Sequence, residues 1–402
     1  MPAPDTRPPF AALGGVLPAA LHTLPTPCYL LDEGALRRNA ELLGALAQRT
    51  GCKILLAQKA FSNYDLYPLL APHLAGTEAS GLYEARLGAE EMPDGEVHVF
   101  CAAYRDDEMD ELLRYADHIV FNSPAQLAKF GAKVKAAGKS VGLRINPECS
   151  TQDGHAIYDP CAPGSRLGTT RAAWDAAVAQ NPALPQLLDG LHFHTLCEQD
   201  ADALAVTLDA VAEKFGDILP KMQWVNFGGG HHITRPGYAV ETLEHCIARA
   251  QNAWGVTVYL EPGEACALNA GYLLTRVLDV VQNGGTTVAI LDASAACHMP
   301  DVIEMPYRPP LLFAGDAGQK PCTVRLAGPT CLAGDVIGDY SFDAVPRVGD
   351  LLVFGDMAIY TTCKNNTFNG MPLPAICVRD EAGSVRELVK FGYRDFKARL
   401  GR

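Results

Sequence analysis

The sequence predicts an α/β protein: a (β/α)8 TIM-like barrel over residues 31–273, then a β-rich domain of β-barrel type over 274–402 that borrows a strand from residues 1–30. Three observations predict it. From about residue 31, strand-like and helix-like patterns alternate seven or eight times, the rhythm that lays strands side by side in parallel. Near residue 273 that rhythm gives way to short strand runs with glycine turns and no long helices. With 402 residues the chain is long enough for two domains, and its first part suits a closed barrel better than an open doubly wound sheet.

"LDEGALRRNAELLGALAQRTG" has helical spacing, with Asp32 placed as N-cap and Gly51 as stop. "KILLAQK" follows as a buried strand, then "GTEAS", "EVHVFCA", "HIVFNS", "SVGLRINPE", "LDGLHFHT", "QWVNFGGG" and "VTVYLEPGE" as further strands. Helical patterns such as "YEARLGAEE", "PAQLAKFGAKVKAAG" and "ADALAVTLDAVAEKFG" lie between them. Beyond the change of rhythm, "YLLTRVLDVVQNGGTTVAILDAS", "TVRLAGPTC", "VGDLLVFGD" and "AICVRDEAGSVRELV" read as strands, and "TPCYLLD" as the strand that joins them from the N-terminus.

Hydrophobic residues make up 48% and charged residues 20% of the chain, which excludes a disordered protein. The net charge of −13, with no basic run, argues against nucleic acid and suits a cationic small substrate. Thirteen cysteines are scattered without a C-x-x-C pair or a zinc spacing, so reduced thiols in the cytoplasm are expected, with no metal. Neither a signal-peptide pattern nor an apolar run of bilayer length is present, and a membrane partner is not expected.

Candidate chemistry collects at strand ends, which share one mouth in a barrel. Lys59 leaves the "KILLAQK" strand, either snorkelling to water or held at the mouth of a site. Gly228, Gly229 and Gly230 form either a plain turn or a main-chain cradle for an anion. Glu261 ends its strand either solvated or placed to hold a proton on a ring nitrogen. His192 and His194 are read as pointing to opposite faces, one packed in the core and the other covering a flat ring. Cys331 lies in "AGPTCLAGD" before Asp335, either as inert packing or as a reactive thiol. A barrel metal site built from His192, His194, His231 and His232 would recruit carboxylates as well and would leave Lys59 without a purpose.

The strings "LLAQKAF", "RINPE", "GLHFHTLCE", "NFGGGHHIT", "EPGEA", "LDASAACHMPDVIEMPYRP", "GPTCLAGD" and "MAIYTTCKNNTFNG", from about residue 26 to the C-terminus, resemble the alanine-racemase-like, fold type III pyridoxal-phosphate decarboxylases. The resemblance implies pyridoxal 5'-phosphate as cofactor, with Lys59 as the lysine that bonds it. Partial burial would help that lysine shed its proton. It further implies His194 stacked on the ring, Gly228, Gly229, Gly230 and Tyr360 at the phosphate, and Glu261 at the pyridine nitrogen. Cys331, with Asp335 on the same loop, is implied to reach the site from a partner subunit and return a proton to the substrate carbon, so a homodimer with shared sites is expected.

Two departures point within the family. Where the ornithine and diaminopimelate decarboxylases carry arginine after "EPG", this chain has Glu264, and the residue after the loop cysteine is Leu332 rather than an acid. Both agree with the branch that acts on carboxylated polyamines. Such a tail of protonated amines needs carboxylates, for which Asp301, Glu304 and Asp335 are candidates with His298 on the same wall; Asp301 and Glu304 are otherwise ordinary loop charges. Arg144 has no assigned role. The alternatives are a diaminopimelate or ornithine decarboxylase, then a racemase or a non-enzymatic cofactor carrier. Glu261 favours decarboxylation over racemisation, and the β-rich domain speaks against a carrier.

Overall fold

The computed structural model describes residues 3–152 and 159–401. It divides into two compact units, residues 39–266 and residues 1–38 with 267–402. The sequence-expected division lay at residues 31 and 273. The helix Glu33–Thr50 carries the chain across the first boundary. Its start and stop follow the expected chemistry: Asp32 Oδ1 accepts from the Ala35 amide at 2.8 Å, and Gly51 takes φ +70° at the end.

Strand β1, Cys28–Asp32, belongs to the second unit. The first unit holds β2 (Lys53–Ala57), β3 (Gly76–Ala79), β4 (Glu96–Phe100), β5 (His118–Phe121), β6 (Ser140–Arg144), β7 (Gly190–His192), β8 (Trp224–Asn226) and β9 (Thr257–Leu260). They pair in parallel in that order, and β9 returns to β2 through Lys53↔Tyr259 and Ile54↔Leu260, so the barrel is closed. Each is short and apolar because helices cover the outside and side chains fill the inside. Some of those helices start on side-chain caps: Ser123 accepts from Gln126, with Pro124 as the first helical residue, and Thr170 accepts from Ala173.

The lower part of the barrel is packed with aromatic and polar side chains. The Trp224 indole takes the space left by two glycines, since a Cβ on Gly190 would fall 2.0 Å from Trp224 Cδ2 and one on Gly142 2.5 Å from its ring. Its Nε1–H donates to Ser140 Oγ at 2.9 Å. Beside it, Glu96 accepts from Tyr259 Oη at 2.9 Å and pairs with the Lys53 ammonium. The His98 and His118 rings stack at 3.9 Å between centroids. Glu96, His98 and His118 bring metal-ligating atom types within 4.8 Å of one another. However, two rings face to face leave no point lying in both ring planes, and Lys53 already occupies Glu96. The arrangement is that of a hydrogen-bonded packing layer.

The second unit is a mixed nine-stranded sheet. Its remaining strands are β10 (Gly271–Asn283), β11 (Thr286–Leu291), β12 (Gly315–Asp316), β13 (Cys322–Ala327), β14 (Val336–Phe342), β15 (Leu351–Gly355), β16 (Ala375–Arg379) and β17 (Val385–Val389). β1 is inserted between β10, antiparallel, and β16, parallel. The order β12-β14-β13-β11-β10-β1-β16-β17, with β15 also on β10, has two free ends. This is the β-rich second domain that the change of rhythm near residue 273 predicted. Phe10, Leu13 and Leu21, from the turns Pro8–Leu13 and Ala19–Thr23, pack onto Leu30, Tyr272 and Leu274.

Gly190→Ala forces its new methyl into Trp224, and overpacking of this kind costs about 1–3 kcal/mol. Urea denaturation of this variant should show that loss, and a stability equal to wild type would overturn the packing described for the barrel interior.

Candidate active site

Seven residues from the ends of six strands meet at the C-terminal mouth of the barrel: Lys59, Glu78, Arg144, His192, His194, Asn226 and Glu261. Lys59 stands two residues beyond β2, with 36% of its side chain exposed, and its Nζ lies 3.8 Å from Glu78 Oε2. Glu78, on β3, is buried, and that oxygen has no hydrogen-bond partner among the described residues. Burial pushes its carboxyl up to about 8, against the pull of Lys59 and with the repulsion of Glu261. A buried acid that keeps its proton at neutral pH thus sits beside the lysine.

Glu261 follows β9 and is equally buried, yet its charge state is the opposite. Burial opposes ionisation, but His192, first by its electrostatic interaction and then by its hydrogen bond, and after it the Lys59 charge, hold it below the ordinary carboxylate range. His192 Nε2 lies 3.0 Å from Oε2, and Asn226 Nδ2 donates to Oε1 at 2.6 Å.

His194 is held by its edge, the Gly229 amide donating to Nδ1 at 3.0 Å. Burial, together with the Lys59 and Arg144 charges, keeps this imidazole well below its usual range and therefore neutral. Arg144 ends β6, donates from Nη2 to the His194 carbonyl at 3.0 Å and lies 4.6 Å over the Phe100 ring. Burial lowers its guanidinium to about 10.

The expected division of His192 and His194 between two faces is corrected. Residues two apart share a side of an extended chain, and both imidazoles serve this mouth.

The glycine loop is shaped by close approach. Gly228 and Gly230 take φ +71° and +81°, and a Cβ on Gly229 would lie 2.6 Å from the Glu261 carbonyl and 3.1 Å from His194 Cε1. The Gly228 amide is engaged by Asn226 Oδ1 at 2.9 Å and that of Gly229 by His194. Those two N–H groups therefore key the side chains around the loop, where the sequence suggested three N–H groups open to an anion. Next to them, His232 Nε2 lies 3.1 Å from Glu264 Oε1. Burial lowers His232, but Glu264 more than offsets it and the imidazole ends above its usual value. The carboxylate that replaces the relatives' arginine is thus itself paired with a histidine.

The sheet unit carries the other predicted residues. Cys331 is exposed on the loop between β13 and β14, its amide donating to Asn369 Oδ1 at 2.7 Å. Asp335 is corrected as a substrate ligand. It is buried, the one Ser294 hydroxyl lies 2.9 Å from both of its oxygens, and it accepts from Thr330 Oγ1 at 2.7 Å, so that it pins the Cys331 loop rather than facing a pocket. His298 is corrected likewise. It is fully buried, accepts from the Ser294 amide at 3.1 Å and faces the Pro372 carbonyl through Nε2 at 3.1 Å. Asp301 and Glu304 share the Lys364 ammonium, Glu304 at 2.5 Å, so one cation already answers two carboxylates. Tyr360 sits at φ +54°, a left-handed conformation unusual for an aromatic residue, at the N-cap of the turn Thr361–Lys364.

Glu78 and Asn226 had no place among the candidates drawn from the sequence. Their signal was a polar residue at the end of a strand in "GTEAS" and "WVNFGGG", which is also how a solvated strand end looks.

A lysine, a neutral imidazole face, an ionised buried carboxylate and a tight glycine loop fit a flat anionic ring that carries an aldehyde. Residues 28–358 match the family described as pyridoxal-dependent decarboxylase, C-terminal sheet domain. The chain belongs to the pyridoxal-dependent decarboxylases, enzymes that use pyridoxal phosphate. It is 42% identical to the carboxynorspermidine/carboxyspermidine decarboxylase of Campylobacter jejuni, over 93% of this chain and 98% of that one. It is 41% identical to the carboxyaminopropylagmatine decarboxylase of a Synechocystis species, over 95% and 97%. The crystal structure of the Campylobacter jejuni carboxynorspermidine decarboxylase, complexed with norspermidine, aligns with a TM-score of 0.84 at 40% identity, covering 94% of this chain and 100% of that one.

The raised Glu78 carboxyl has a signed consequence. The folded chain keeps a proton that the unfolded chain releases, so the associated stability is complete below the ordinary carboxylate range near 4.5 and is lost as pH rises toward about 8. In cofactor-free protein, Glu78→Gln should therefore remove a decline in Tm of roughly 1–2 °C per pH unit across that window. Parallel Tm profiles for the two proteins would contradict the buried, protonated acid.

Proposed function

We propose that this enzyme removes the carboxyl group of carboxynorspermidine or carboxyspermidine, releasing CO2 and leaving norspermidine or spermidine, a step of polyamine formation. The observation that carries it is the mouth constellation of Lys59, neutral His194 and ionised Glu261, in a chain similar along nearly its whole length to decarboxylases of carboxylated polyamines. Bound pyridoxal phosphate supplies an electron-accepting ring that takes up the pair left when the carboxylate departs as CO2.

Lys59 would be the residue that holds the cofactor through its aldehyde group. Glu78, protonated beside it, spares the lysine a strong anionic partner. His194 covers the ring with an uncharged face, and Glu261 keeps a proton on the pyridine nitrogen. Gly230, on the tight turn made by Gly228 and Gly229, is the candidate of the barrel unit for the cofactor phosphate, and Tyr360 is the candidate of the sheet unit. Cys331 returns a proton to the carbon that lost CO2, from the second subunit of a homodimer. Its exposure supports that role, as does the display of Ile303, Tyr307, Leu332 and Phe368 by the same unit, large apolar side chains that an interface would cover. Asp301 and Glu304 carry one more negative charge than Lys364 neutralises and remain the acidic candidates for the polyamine tail.

We place the enzyme in the cytoplasm, a setting supported by thirteen cysteines with no disulfide among the described residues. No helix among those residues is long and apolar enough to cross a membrane.

A second reading is favoured by the relative from Synechocystis: the terminal amine of the substrate is replaced by a guanidinium, as in carboxyaminopropylagmatine.

CO2 release should be measured with pyridoxal phosphate on carboxynorspermidine, carboxyspermidine, carboxyaminopropylagmatine, meso-diaminopimelate and ornithine. Turnover of a carboxylated triamine at least about tenfold above the other compounds is expected. Preference for the guanidino compound establishes the second reading, and turnover of diaminopimelate or ornithine alone rejects both. Borohydride reduction of the holoenzyme should fix the cofactor on Lys59, and a label on any other lysine overturns the site.

A further inference from the structure

We propose that His192 is a positioning residue, a neutral hydrogen-bond donor that fixes the Glu261 carboxylate and leaves its negative charge available to the ring nitrogen of the cofactor. The inference rests on the role given to Glu261 above.

The two donors to Glu261 have fixed senses. The Gly228 amide donates to Asn226 Oδ1 at 2.9 Å, so the Asn226 NH2 must face Glu261, where it donates to Oε1 at 2.6 Å. The other oxygen, Oε2, lies 3.0 Å from His192 Nε2. An ionised carboxylate only accepts, so the proton of this bond is on the imidazole, at Nε2. His192 Nδ1 is buried with no hydrogen-bond partner among the described residues, and no acceptor calls a second proton onto the ring.

The surroundings oppose a cationic His192. It is 1% exposed, and burial lowers it, with the Arg144 charge on β6 and the Lys59 charge beyond β2 acting in the same direction. Glu261 on β9 is the charged group that acts in favour. The ring is held flat by Phe100, 5.5 Å away at 17°, which in turn lies under Arg144.

The chemical consequence follows from charge. A lysine or arginine at position 192 would also hold Glu261, but would cancel the charge that makes a protonated ring nitrogen favourable. A neutral donor orients the carboxylate without cancelling it. A histidine that merely filled space would need neither this orientation nor a bond to Glu261.

The test uses holoenzyme carrying His192→Phe, His192→Gln, Glu261→Gln, or His192→Phe and Glu261→Gln together. It reads kcat, KM, Tm and the pH titration of the visible absorbance of the bound cofactor. His192→Phe should lower kcat roughly 10- to 100-fold, as loss of an orienting partner typically does, with KM within about twofold. It should also displace the midpoint of the absorbance titration. His192→Gln, which keeps a donor, should restore most of both, and the double variant should be no slower than Glu261→Gln alone.

A titration midpoint and kcat unchanged in His192→Phe, or changed only in Tm, make His192 a packing residue and overturn the proposal. Multiplicative losses in the double variant overturn it as well. If Glu261→Gln itself leaves kcat and the titration unaltered, it is the role of Glu261 that fails. Should His192→Phe not fold, His192→Asn, too short to reach Oε2, stands in the same comparisons.

Discussion

Barrel closure is the constraint on which the site depends. The main-chain bonds that bring β9 back to β2 leave no free edge in this unit and aim every strand end at one mouth. Residues far apart in the chain, such as His192 and Glu261, meet only because the registers of β7, β8 and β9 are fixed together. The interior must then be filled at the other end, which is why the Trp224 indole sits against two strands that carry glycine where it passes.

Within the mouth, two buried carboxyls are driven to opposite states. Glu261 receives donors on both oxygens and ionises, whereas Glu78 has an oxygen with no donor and retains its proton. Lys59 acts on both, so the difference comes from what else faces each group: His192, by its electrostatic interaction and its hydrogen bond, together with Asn226 at Glu261, and neither of them at Glu78. Divergent carboxyl states of this kind are what a site needs when one group must stay charged beside a ring and another must not compete for the lysine.

The sheet unit solves a different problem, the placing of an exposed thiol. The Cys331 loop is tied at Asp335 through Ser294 and Thr330 and at its own amide through Asn369. Two residues first considered for the substrate, Asp335 and His298, thereby become the framework of that loop and of the turn beside it. Loss of the Ser294 bonds would release the loop before it disturbed the sheet, since the core of the sheet lies elsewhere, around Phe10, Tyr272 and Leu274.

Much was legible in the chain itself. The alternating rhythm determined the barrel, its end near residue 273 marked the second unit, and "TPCYLLD" was recognisable as a strand of the sheet. Lys59, His194, the glycine run and Glu261 stood out because each breaks the composition expected of a buried strand end. Those signals are local, set by the period of side chains along a few residues. What only the tertiary structure decided was partnership and burial: that Glu78 stands by Lys59, that Asn226 and His192 hold Glu261, and that Lys364 answers Asp301 and Glu304. Each of these joins segments about twenty to seventy positions apart, and the charge state of a buried group depends on such neighbours rather than on its own sequence context.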